Sequence, residues 1–423
     1  MARISSWQRL TASRLFIFLG VLGPGLIAAN ADNDASGIYG YSLAGARYRY
    51  AMLWVLVVST VALGVAQETC ARMGAVTGKG LADLIREKFG ARVTLVAMLT
   101  LLVANFATTV SEFAGILAAV QLFAGPAARL WVLPLVVGAI WVLVARGSYQ
   151  RLERVLLGAS AIYLFYIASA FLAHPNWGQV LKETFVPNLR AVTPLRDYVF
   201  MVINVVGTTI TPWGQFYIQS SVRDKGVRPE QYGGTRVDVL FGAFFTNLVA
   251  YFIIACCGAT LFAAGIHQVN DAGQVARALT PLAGPLAATL FAIGLFNASC
   301  FGAIAVPLSS AYAVTEALGS ESALGLRTRE APLFIGTFTL TIVGGAAAVM
   351  LFPAHLALLI ILPNIVGAVL LPIILVLMLR LVNDRKLMGQ YANSRVYNAI
   401  SWATTAVLIV LSLVLLVTTL LPT

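Results

Sequence analysis

Asp32 and Asp34 lie in the stretch AANADNDASGIYG, residues 28–40, inside a run otherwise apolar enough to cross a membrane. A carboxylate in hydrocarbon is expensive and usually marks function. Asn30, Asn33, Ser36 and Gly37 stand beside the two acids, so an apolar helix is expected to break here and to free backbone carbonyls. Carboxylate and carbonyl oxygens favour hard cations such as Mg²⁺, Ca²⁺ and Mn²⁺. The ends of such half-helices also suit a small organic substrate, for example an amino acid. A second segment has the same character: residues 198–221 contain NVVGTTITPWGQFYIQSS, with Gly207, Pro212 and Gly214 at its centre. Proline removes a hydrogen-bond donor and clashes with the preceding turn. Unwound backbone is tolerated in a membrane only where it is buried in protein or lines a cavity. Two ordinary kinked helices would account for the glycines and the proline, but not for the aspartates.

The elements that must hold these residues are membrane spans. The chain has 423 residues, 59% of them hydrophobic and only 11% charged, with a mean hydropathy of +0.86. A soluble domain carries about 25% charged residues. The apolar runs are continuous rather than alternating, which argues for helices and against a β-barrel. Eleven spans are predicted, near residues 15–45, 50–71, 93–123, 130–145, 155–173, 198–221, 238–264, 286–316, 332–353, 356–380 and 398–420. The interrupted spans are the first and the sixth. An offset of five, an odd number, inverts the second copy in the membrane, and paired broken helices in inverted halves point to a midplane substrate site. The first span is expected to serve as its own insertion signal.

Basic residues set the orientation. With the N-terminus in the cytoplasm, 21 of the 28 lysines and arginines fall on the inner side. The net charge of +11 is accounted for in this way, without nucleic acid. The expected location is the inner (plasma) membrane, with the N-terminus inside and the C-terminus outside. His174, His267 and His355 all fall at outer ends or loops, leaving no histidine at mid-membrane. Cys70, Cys256, Cys257 and Cys300 show no zinc spacing and read as packing residues. No nucleophile–base pair, phosphate loop or soluble catalytic domain is present, so an enzyme is not expected.

These segments resemble the Nramp divalent-metal transporters. GPGLIAANADNDASG is similar to that family's first-span segment, which carries a DPGN metal-binding motif; Asp34 falls on the motif Asp, and Ala35, Ser36 and Gly37 replace Pro, Gly and Asn. GTTITPWGQ resembles the MPH segment of the sixth span, with Thr211, Pro212 and Trp213. ANFATTVSEFAG is similar to the third-span ATDLAE pattern, with Thr109 in place of Asp and Glu112 on the Glu. LPNIVGAVLLP resembles the tenth span, with Asn364 where the family often has Gln, and NDRKLMGQYAN is similar to the loop before the last span. The resemblance implies an all-α polytopic protein of LeuT-type fold. One transporter domain, residues 1–423, would comprise a first five-helix repeat at about 14–173, an inverted second repeat at about 197–380 and an eleventh helix at about 397–420.

The departures carry the finer expectation. The family Met offers a soft sulfur, whereas Thr211 offers only oxygen, and Gly37 leaves room where the family has an amide. Mg²⁺ keeps several of its waters and suits such a site. The pattern resembles the family's divergent magnesium-transporting branch, which implies uptake of a hydrated divalent cation, Mg²⁺ and also Mn²⁺, as substrate rather than cofactor, by a monomer in the bilayer. Thr109 and Trp213 stand where the family has proton-route residues, so transport without a proton is expected. The alternatives are a proton-coupled Mn²⁺/Fe²⁺ transporter of the same family and an amino-acid transporter of the same fold.

The candidate substrate-binding residues are Asp34, Gly37, Thr208, Thr211, Asn364 and Gln215, with Asp34, Thr208 and Thr211 on the metal. Asp34 can at the same time cap the second half-helix. Thr208 either binds or bonds back to its own helix. Asn364 either reaches the ion, directly or through water, or bridges helices. The altered proton route is Thr109, Glu112 and Trp213; Glu112 either holds a proton or pairs with a base such as Arg380. Trp213 either walls the site from below or packs against a neighbouring helix. Asp32 is a further charge or the partner of a basic group. Glu68, Asp238 and Glu316 read as structural, and Gly23, Gly25 and Gly37 as hinge or close-packing points.

Overall fold

In the computed structural model, residues 22–188, 194–269, 272–321, 323–326, 329–352 and 356–420 are described. The first span is broken into α1 (Pro24–Ala31) and α2 (Ala35–Tyr48), and the sixth into α9 (Leu195–Thr209) and α10 (Pro212–Asp224). Between them run α3 (Leu53–Thr77), α4 (Leu81–Ala124), α5 (Arg129–Ala145), a fifth span made of α6 (Tyr149–Ser160) and α7 (Leu164–Leu172), and the short α8 (Trp177–Phe185). After them come α11 (Tyr232–Ala259), α12 (Ala272–Leu318), α13 (Pro332–Leu351), α14 (Leu356–Val382), the one-turn α15 (Arg385–Met388) and α16 (Arg395–Leu420). Among the described residues, seven helices are long and apolar enough to cross a membrane alone, and two more are shorter but apolar. The two broken pairs complete the eleven expected spans.

Local chemistry explains both breaks. α1 ends at Asp32, and α2 restarts behind Asp34, which is extended and caps the new helix through its side chain. In the sixth span Ile210 and Thr211 are extended, and Pro212 opens α10 at its first position, where the missing N–H costs nothing. The third and eighth spans, five apart like the first and sixth, share another device. Each is a long helix bent near its start at a glycine of positive φ, Gly90 (φ 80°) in α4 and Gly284 (φ 88°) in α12. The same element at equivalent places in the two halves fits the inverted repeat. α4 and α12 lie against each other through the centre of the molecule.

The surface is apolar where a soluble protein would be charged. Val96, Val103, Leu340 and Val410 are more than half exposed, as expected of side chains that meet lipid. The interior holds the polar residues instead, including Asp32, Asp34, Gln67, Asn105, Glu112 and Glu316, all nearly inaccessible. Three of the cysteines are buried and all four are free.

α1 is held closely at its start. Asp238 on α11 accepts the backbone N–H groups of Gly23 (2.9 Å), Gly25 (2.7 Å) and Leu26 (3.1 Å). A Cβ on Gly25 would meet Val239 Cα at 2.6 Å, and one on Gly242 would meet Gly25 O at 2.7 Å. Gly25 is therefore a close-packing point. Glu316 at the end of α12 accepts from Ser220 (2.6 Å) and pairs with Arg223 (3.0 Å). Glu68 pairs with Arg72 at 3.3 Å and accepts from Tyr232.

Candidate functional site

The two breaks meet. Thr211 Oγ1 donates to Asp32 Oδ1 at 2.6 Å, and Gln67 Nε2 on α3 donates to Asp32 Oδ2 at 2.9 Å. Asp32 is thus the partner of a hydroxyl and an amide, and among the described residues it pairs with no basic group. Asp34 Oδ1 accepts Gly37 N (2.6 Å) and Ser36 Oγ (2.8 Å). The rest of the break is braced from outside: Asn30 Nδ2 donates to Ser160 Oγ (2.8 Å), Tyr163 Oη to Asn30 O (2.7 Å) and Asn33 Nδ2 to Thr246 O (2.9 Å). Such bracing satisfies polar groups that hydrocarbon would leave unpaired.

Beside the breaks lies a cavity of about 20 Å³, lined by Asp34, Ser36, Ala104, Asn105, Thr108, Gly207, Thr211, Pro212, Trp213, Pro363 and Gly367. That volume takes little more than one water-sized body. An ion with several waters passes only when the helices part. Among these lining residues there is no sulfur and no imidazole. Among the described residues no three of His, Cys, Asp and Glu converge as a metal cage. The oxygen donors present are a carboxylate, an amide and hydroxyls.

The expected site residues divide as follows. Asp34, Thr211 and Trp213 line the cavity. Gly37 contributes its N–H to Asp34 and no side chain. Thr208 bonds back to Val205 O at 3.1 Å, and its methyl faces the neighbourhood of Gly40; it is not among the lining residues. Gln215 is fully buried, donates to Thr211 O at 3.4 Å and stands behind the lining. The side chain of Asn364 lies outside the described residues, as does His355. Thr109 donates to Asn105 O of its own helix at 2.8 Å. Glu112 accepts the Ala35 N–H at 3.1 Å and stands beside the Asp34 carboxyl. It does not pair with Arg380, which lines a separate groove with Lys88 and Trp402. The Trp213 carbonyl accepts Ser309 Oγ at 2.8 Å. Sequence reasoning missed Gln67, Asn105 and Thr108. Seven-residue spacing on one helix, Asn105 to Glu112 with Thr108 between, was the available signal.

The family model described as natural resistance-associated macrophage protein-like matches residues 25–418. The chain belongs to the Nramp family. An Nramp relative, the divalent metal cation transporter MntH of Ralstonia nicotianae, is 29% identical over 403 residues, covering 92% of this chain and 89% of its own. A solved Nramp structure, the manganese transporter of Eremococcus coleocola, superposes with a TM-score of 0.75 at 20% identity, covering 99% of this chain and 88% of that one. MhsT, solved with L-phenylalanine, superposes with a TM-score of 0.63 at 14% identity, covering 94% and 97%. The LeuT-type fold expected of the Nramp chain is therefore the fold it has, and it is a membrane transporter, not an enzyme.

Proposed function

We propose that this Nramp protein carries divalent cations, Mg²⁺ and also Mn²⁺, by alternating access and without a coupled proton. The observation that supports this most is the donor set of the cavity: Asp34, Ser36, Thr211, Thr108 and Asn105 offer hard oxygen and no soft sulfur. Such donors do not favour a transition metal over Mg²⁺. The MntH and manganese-transporter relatives support a divalent metal as cargo. Asp34 is the proposed anionic ligand, with Thr211 as a neutral one and Thr208 through its carbonyl. Gln215 and Asn364 act on the shell around them.

Trp213 and Thr109 carry no titratable group, which supports transport driven by the cation gradient and the membrane potential. A divalent ion gains about 4–5 kcal/mol per 100 mV. The basic bias supports an inner-membrane protein with its N-terminus in the cytoplasm. A second reading, proton-coupled transport of Mn²⁺, is favoured by Glu112, a buried carboxyl that lies against the Asp34 carboxyl.

Uptake into proteoliposomes decides between them, with Mg²⁺, Mn²⁺ and pH reported together for wild type and Asp34→Ala. Saturable Mg²⁺ entry without acidification, lost in the variant, is the expected result. Mn²⁺ entry with acidification and no Mg²⁺ entry would transfer the conclusion to the second reading.

A further inference from the structure

Asn105 lines the cavity from the third span. It is 1% exposed, sits on α4, and has one amide end engaged: its Nδ2 donates to Ser310 Oγ on α12 at 2.9 Å. The orientation of that amide is fixed by Ser310. The Ser310 hydroxyl has one hydrogen, and it goes to Val306 O at 3.2 Å. Ser310 Oγ must therefore accept from Asn105, which places nitrogen on the α12 side and oxygen on the other. Asn105 Oδ1 is then a buried acceptor with no partner among the described residues. A buried carbonyl oxygen without a donor is destabilising, and here it belongs to a wall of the same cavity as the Asp34 carboxylate.

Thr108 repeats the pattern one turn along. Its hydroxyl hydrogen goes to Ala104 O at 2.9 Å, leaving oxygen lone pairs on a residue that also lines the cavity. Asn105, Thr108 and Glu112 form one stripe on α4, spaced by three and four residues. The stripe runs about 10 Å along the helix, from Glu112 beside Asp34 toward the Gly90 end.

We propose that Asn105 Oδ1 is an oxygen acceptor for the partly hydrated divalent cation, taking the ion itself or a hydrogen of a water it retains. The third span is thereby a third wall of the cation site, beside the two broken spans. The ligand class is a hard divalent cation with part of its water shell. An amide oxygen adds affinity without adding charge or preference for a transition metal. This proposal rests on the divalent-cation reading of the cavity.

The test uses Mg²⁺ and Mn²⁺ uptake into proteoliposomes by the full chain carrying Asn105→Leu, Asn105→Asp, Ser310→Ala or Asp34→Ala, with melting temperatures measured in detergent. Asn105→Leu removes both amide ends. Asn105→Asp keeps the oxygen but loses the donor to Ser310. Ser310→Ala removes the anchor but leaves Oδ1. A cation acceptor predicts a rise of about tenfold or more in the Mg²⁺ KM for Asn105→Leu. Asn105→Asp then stays within about threefold of wild type, and Ser310→Ala lies between. A purely structural hydrogen bond would instead impair Asn105→Asp, Asn105→Leu and Ser310→Ala alike, and that overturns the proposal. An unchanged Mg²⁺ KM in Asn105→Leu overturns it too. If Asp34→Ala abolishes uptake while Asn105→Leu transports normally, only this proposal falls. If Asp34→Ala transports normally, the cation reading falls and takes the proposal with it. Should Asn105→Leu fail to assemble, Asn105→Ala gives the same comparison with a smaller side chain.

Discussion

Thr211 gives its hydroxyl hydrogen to Asp32 across the gap between the two broken spans, at 2.6 Å. With its hydrogen committed, the hydroxyl meets the cavity as an acceptor, the polarity a cation needs. Asp32 thus acts through Thr211 and Gln67, and Asp34 is the carboxylate that lines the cavity.

Thr211→Val is expected to raise the Mg²⁺ KM about tenfold, while Thr211→Ser, which keeps the hydroxyl, remains near wild type. Asp32→Ala leaves the Thr211 hydroxyl and the Gln67 amide without their acceptor. It is expected to cost about 1–3 kcal/mol for each, read as a drop in melting temperature larger than that of Thr211→Val. Equal melting of the two variants would contradict this role for Asp32.

Asp34 has two roles that substitution can separate. As a helix cap it contributes about 1 kcal/mol, and Asn caps nearly as well as Asp. Asp34→Asn is therefore expected to melt close to wild type but to lose cation uptake. Calorimetric titration with Mn²⁺ is expected to show no binding in this variant. Retained binding would leave Asp34 as a cap alone.

Uptake is expected to follow voltage and to ignore the proton gradient. A K⁺ diffusion potential, negative inside, should accelerate Mg²⁺ entry, whereas imposing a pH step at zero potential should not. An internal pH dye should stay flat during uptake. Trp213→His alone is not expected to create coupling, because Thr109 offers no second group and its hydroxyl is engaged within α4.

Gly242→Ala is expected to destabilise the protein by about 1–3 kcal/mol, because its Cβ would approach Gly25 O to 2.7 Å. Gly138→Ala serves as the control, since nothing lies within 4 Å of its Cβ. A control that melts as low as Gly242→Ala would remove the argument from close approach.

Much of this was legible in the sequence because the signals were local. Asp34 stands at the head of α2 and Pro212 at the head of α10, and each break follows from residues within a few positions of it. The span pattern was equally local, and the charge pattern behind the proposed orientation can be read without contacts. The hidden parts are all long-range. Gln67 reaches Asp32 across 35 residues, and Asn105 reaches Ser310 across 205. A single amide in an apolar run shows only that something polar faces inward, not what it meets. Asp238 read as structural, but that its carboxylate holds the start of α1, 213 residues away at Gly25, is a property of packing. Thr208 had two equal readings. Its hydroxyl bonds back to Val205 because a donor beside its own helix carbonyls finds them first.

Asp238 also bears on how the molecule moves. Three backbone N–H bonds, together with a glycine-to-glycine contact that admits no side chain, fasten α1 to α11 as firmly as if they were one piece. A swing of α1 alone would strip three amide hydrogens of their acceptor inside the membrane. The cheaper motion carries α1 and α11 together and slides the pair over its neighbours. In that motion the N-terminal half of the first span is freight on the seventh, and what must give way is the surface of a helix pair, not the backbone of a glycine.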